Sequence, residues 1–121
     1  MVDSKQMLEI AVKAGDAKRA EDIEALDVQE VSLMADYFVM MNGGSKRQVQ
    51  AIVTAVEDAE EEAGVTVRRI EGKAEGTWVL LDFGDIIVHV FQEEQRHFYN
   101  LEKLWSDAPL VDLNDWLGET A

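Results

Sequence analysis

The chain has no cysteine, a single proline and few basic residues, and each shortage removes a class of protein. Without cysteine there are no disulfides, no thiolate nucleophile and no cysteine zinc site, a composition that suits the cytoplasm. No run of about eighteen apolar residues occurs, so no segment is expected to span a bilayer as a helix. The start, Met1-Val2-Asp3-Ser4-Lys5, lacks the basic stretch and apolar block of a secretory signal, and the expected location is cytoplasmic. Only 11 Lys and Arg face 25 Asp and Glu, giving a formal charge of −14. Such a surface is repelled by phosphate backbones, so no direct nucleic-acid recognition is expected. A basic protein partner is attracted instead.

What is present describes one globular body. The 121 residues are 47% apolar and 30% charged, enough for a single core. No internal repeat or low-complexity tract interrupts them. Leu8, Ala11, Val12 and Gly15 recur at helical spacing and predict an amphipathic helix from Ser4 to about Glu21. Leu26 to Ser32 and Tyr37 to Met41 read as strands, the second apolar enough to be central in a sheet. Asn42-Gly43-Gly44-Ser45 ends that strand, with Ser45 as N-cap of a helix from Lys46 to Ala63. Val49, Ile52, Val53 and Val56 form its stripe, and Glu57, Glu60, Glu61 and Glu62 are placed mostly outside it. Gly64 is the expected C-terminal glycine.

Val65 to Ile70 reads as a further strand, and Gly72 to Gly76 as a turn. Thr77 to Asp82 and Ile86 to Phe91 read as a hairpin through Phe83-Gly84, apolar on both faces. A last helix is predicted from about Glu93 to Trp105, with Phe98, Leu101 and Trp105 on one stripe, followed by a tail containing Pro109 and Trp116. This order predicts an α/β sandwich: a mixed sheet flanked by helices.

Three features invite chemistry. Gly43-Gly44-Ser45, between a buried strand and a helix, resembles the phosphate-binding glycine-serine loop of nucleotidyltransferases. Those enzymes also need paired carboxylates on a following strand to hold magnesium, and the residues after Ser45 are helical. The loop therefore reads as a turn. Asp82 and Asp85 flank the hairpin, where Asp serves local hydrogen bonding, so no metal is expected. His89 alternates with Ile87 and Phe91 on one strand face, and a hydrogen-bonded packing role outweighs catalysis there. Trp78 and Tyr99 are of the types enriched at protein interfaces. Periodicity alone favours core packing for both. Tyr99 lies off the last helix's stripe, sharing a second face with Glu102.

Five ordered blocks carry a resemblance. They are Asp36-Tyr37-Phe38-Val39, Gly44-Ser45-Lys46-Arg47-Gln48-Val49, Glu71-Gly72 ahead of Thr77-Trp78-Val79-Leu80-Leu81-Asp82, Gly84 to Phe91, and Glu93 to Trp105. In this order they resemble the ribosomal silencing factor family, also called the Iojap-related family, over about residues 5–107. The resemblance implies a nucleotidyltransferase-like α/β fold without the catalytic acidic cluster, and hence a non-catalytic protein with no cofactor. It implies binding to the large ribosomal subunit through ribosomal protein fourteen and a block on joining of the small subunit, repressing translation when nutrients are scarce. A homodimer when free is implied too. Trp78, Tyr99, Glu102 and Leu104 are the implied partner-facing residues. Gln48 and Gln95 depart from the histidine and serine frequent in relatives. Residues 1–107 are read as the domain and 108–121 as a C-terminal tail. The alternatives are a large-subunit assembly factor, or a nucleotidyltransferase using Gly44, Ser45 and Asp82.

Overall fold

The computed structural model describes residues 2–30, 32–33, 35–94 and 108–117. Helix α1 spans Ser4–Ala17. Asp3 caps it by accepting from the Gln6 backbone N–H, while the Gln6 side chain accepts from the Asp3 N–H, closing a capping box. Its stripe of Met7, Leu8, Ala11, Val12 and Gly15 is buried. A Cβ on Gly15 would lie 2.5 Å from Met41 Sδ, so the missing side chain sets how closely α1 approaches the sheet.

Strand β1 (Glu21–Asp27) follows, then β2 (Tyr37–Gly43), α2 (Lys46–Glu62), β3 (Arg69–Glu71), β4 (Trp78–Asp82) and β5 (Ile86–Gln92). The sheet order is β1-β2-β5-β4-β3. Only β2 and β5 run parallel, and the other neighbours are antiparallel, so the sheet is mixed as expected. The two parallel strands are buried nearly throughout, as their near-continuous apolar runs require. Ser45 caps α2 by accepting from the Gln48 N–H, and Gly64 takes the left-handed φ of 88° that ends it.

Two strands differ from the sequence reading. The first occupies Glu21–Asp27 rather than Leu26 to Ser32. Its acidic first half is exposed and bulged between Glu21 and Glu24, with Asp22 at φ 49°, so no alternation announces it. Beyond it the Val28 N–H bonds Asp36 O and the Ser32 N–H bonds Val28 O, a folded-back path that ends pairing. The other, β3, holds only Arg69–Glu71, since Val65 and Val67 pack on the core from a loop.

The helices cover one sheet face. Val39, Met41, Val79, Leu81, Val88 and Val90 meet the α1 and α2 stripes there. The opposite face carries Leu26, Phe38, Met40, Ile87, His89 and Phe91, with Trp78 and Leu80 packed against them. Residues 108–117 cross between the faces along the outer edge of β1. Ala108 is buried with the aromatic side, whereas Leu113, Trp116 and Leu117 join the helix side. Between them Pro109 O accepts from the Asp27 N–H and the Val111 N–H donates to Ala25 O, occupying an edge that would otherwise present free backbone groups. The predicted helix from Glu93 to Trp105 lies almost wholly outside the described residues.

Candidate functional site

Trp78 opens β4 directly after the Gly72–Gly76 turn. Gly72 has φ 81°, and a Cβ there would stand 2.2 Å from the Trp78 carbonyl oxygen. Only glycine fits against this backbone, and it thereby fixes where the indole emerges. The side chain stacks on Phe91, its register partner on β5, with ring centroids 5.4 Å apart.

The indole N–H donates to Nδ1 of His89 at 3.1 Å, tying the half-buried ring to a buried one. His89 in turn packs edge-on to Phe38 at 5.8 Å and stacks with Phe91 at 6.1 Å. Accepting at Nδ1 requires that atom to be unprotonated, and burial favours the same state by lowering the His89 pKa to about 4. The imidazole is therefore neutral at pH 7, with its proton on Nε2. It serves as a packing residue with a hydrogen-bond partner, as its strand position suggested. The result is an aromatic shelf in which Trp78 is the least buried of these four rings.

Of the other expected partner-facing residues, Tyr99, Glu102 and Leu104 lie outside the described residues. Trp78 is thus placed, and its juxtaposition with those three is not described.

The glycine-serine loop is closed upon itself. Gly44 N–H donates to Gln48 Oε1 at 2.7 Å, and Gln48 N–H donates to Ser45 Oγ at 3.1 Å. Gln48 Nε2 also donates to the carbonyls of Lys18 and Arg19, binding the α1–β1 turn to the start of α2. The Gln48 amide is a structural staple, and two donors that a phosphate would use are occupied. Asp82 accepts from the Gly84 N–H at 2.8 Å, the local turn role expected of it. Among the described residues no three or more His, Asp and Glu side chains converge as a metal site.

Sequence reasoning missed Glu60. It lies four residues after Val56 on the buried stripe of α2, fully buried, and neither carboxylate oxygen has a hydrogen-bond partner. Burial pushes its pKa up to about 8, so the group is mostly protonated at pH 7. The i+4 spacing from Val56 is the available signal, outweighed by the expectation that a charge faces water.

A family model described as ribosomal silencing factor during starvation matches residues 2–121. The chain belongs to the ribosomal silencing factor family. It is 52% identical over 113 residues to the ribosomal silencing factor RsfS of Bacillus subtilis, covering 93% of this chain and 96% of that one. A crystal structure from Bacillus halodurans superposes with a TM-score of 0.81 at 43% identity, covering 90% of this chain and 99% of the other. A more distant relative is the mouse protein named mitochondrial assembly of ribosomal large subunit protein 1. It is 32% identical over 107 residues, 86% of this chain and 46% of the mouse protein.

Proposed function

We propose that the chain is a non-catalytic steric inhibitor of translation that docks on the large ribosomal subunit, with ribosomal protein fourteen as its protein contact. Once docked, its body occupies space that the small subunit needs, and joining fails. Family membership over residues 2–121 is the observation that carries this reading. The aromatic shelf and the net charge of −14 support it: a fixed indole supplies desolvation energy, and negative charge speeds encounter with a basic ribosomal protein. Tyr99, Glu102 and Leu104 complete the proposed contact with Trp78. Residues 1–107 act as the docking domain, 108–121 as its tail, in the cytoplasm, with a homodimer as the free form.

The test adds pure protein to separated subunits and follows their joining on a sucrose gradient. A dose-dependent loss of joined particles is expected, and undiminished joining at saturating protein would falsify the reading. Trp78→Ala should weaken binding to isolated large subunits at least tenfold with native circular dichroism. The mouse relative's name favours a second reading, an assembly factor for the large subunit. Precursor large particles in a deletion strain, with normal joining in vitro, would select it.

A further inference from the structure

The net charge conceals a local gathering of cations. Lys18 and Arg19 end α1, Lys46 and Arg47 begin α2, and Lys73 sits in the turn before Trp78, so five of the chain's 11 cations come from three separate segments. Side-chain hydrogen bonds draw these segments together. Gln48 Nε2 bonds the Lys18 and Arg19 carbonyls, and Gln50 Nε2 bonds the Lys73 carbonyl at 3.0 Å. A Cβ on Gly76 would come within 2.6 Å of Lys46 Cγ, so the lysine stem underlies the turn that leads into Trp78. Lys18 and Arg47 also line one shallow surface groove with Gln50, Thr54 and Asp58.

Among the described residues these cations have few acidic partners. Lys73 pairs loosely with Glu57 at 3.6 Å, while Lys18, Arg19, Lys46 and Arg47 are exposed and form no ion pair with a described residue. Two of them occupy the first turn of α2, which holds no acid, although the helix dipole favours acids there and the chain has 25 to offer. Local helix stability therefore does not explain the arrangement.

We infer that this rim rests on the phosphate backbone of ribosomal RNA next to the protein contact made through Trp78. The inference builds on the docking reading above. Phosphate matches closely spaced, unpaired cations and needs no base recognition. The overall charge still opposes affinity for free RNA, so the rim works only where docking has already brought the backbone close. Aromatic patch and rim together fix orientation, which a single patch does not.

The full-length protein is titrated against isolated large subunits over a range of KCl concentrations. The rim variant is Lys18→Glu with Arg47→Glu; the control is Lys5→Glu with Arg69→Glu, which changes net charge equally at positions away from the rim. The rim variant should lose at least tenfold in affinity at low salt, and its log–log salt slope should flatten by about two, nearly one for each phosphate no longer neutralised. The control should keep the parental slope. Equal losses in both variants, or a parental slope in the rim variant, overturn the rim. A changed oligomeric state with unchanged subunit affinity overturns it too, assigning these cations to an interface between copies. If Trp78→Ala weakens binding while the rim variant does not, the rim alone fails; if the parent ignores large subunits, the docking reading fails.

Discussion

Among the described residues, Glu60 on one face of the sheet and His89 on the other are both buried ionisable groups, and their surroundings treat them differently. On the helix side Glu60 is fully buried, and its carboxylate oxygens have no hydrogen-bond partner. On the aromatic side His89 is enclosed as tightly, but its one acceptor nitrogen holds the Trp78 indole. The first arrangement costs stability at neutral pH and holds no neighbour through a side-chain hydrogen bond. The second orients a residue at the surface. A buried polar group accordingly points toward function when it positions a neighbour, and burial by itself does not.

The sharpest break in this comparison is expected from a core deletion on the helix side. Ile52→Ala, at a fully buried site, should cost about 3 kcal/mol in urea unfolding, while the folded fraction binds large subunits with parental affinity. A binding defect beyond the unfolded fraction would show that the buried stripe of α2, and not only the cations at the helix ends, contributes to docking.

Next, the two ionisable groups should tilt stability against pH in opposite directions. Glu60 in the folded state holds its proton up to about pH 8, against about 4.5 when unfolded, so stability falls as pH rises across that window. By pH 7 the loss amounts to roughly 3 kcal/mol, and Glu60→Leu should recover most of it. His89 behaves inversely. The unfolded chain takes its proton near pH 6.5 and the folded chain only near 4, so stability falls as pH drops through that range. From these two groups alone, the slopes oppose each other between pH 4.5 and 6.5, with Glu60 governing above and His89 below. Denaturant titrations at several pH values test this. An alkaline slope that survives in Glu60→Leu would assign it elsewhere.

A smaller effect separates orientation from stability on the aromatic side. His89→Phe keeps a ring in the stack but removes the acceptor, and His89→Asn restores one near Nδ1. The Phe variant should weaken subunit binding several-fold and shift the Trp78 indole N–H resonance, with Asn recovering part of both. Smallest in stability is Gly72→Ala, about 1–2 kcal/mol, because a Cβ meets the Trp78 carbonyl at a left-handed backbone position. Its binding loss should exceed that of an equally destabilised helix-side variant.

The same contrast separates what is legible in the sequence from what is not. Both helices, the central strands β2 and β5, the Ser45 cap and Gly64 follow from apolar periodicity and local backbone chemistry. Strand β1 escapes that reading, because its acidic first half is bulged and shows no apolar alternation. Glu60 escapes it because spacing and charge give opposite indications, and in the folded chain spacing prevails. The family resemblance reaches Trp78 but not what holds it, because His89 lies 11 residues away and meets it only across the β4–β5 ladder.

By itself, then, the sequence determined the segments, the family and the surplus of acid, all of which depend on short-range pattern or on totals. Tertiary structure alone decided which ring orients Trp78, that a carboxyl is trapped beneath α2, and that five scattered cations form one rim. Each of those depends on distances between segments remote along the chain, and such distances are fixed only when strands pair and helices pack.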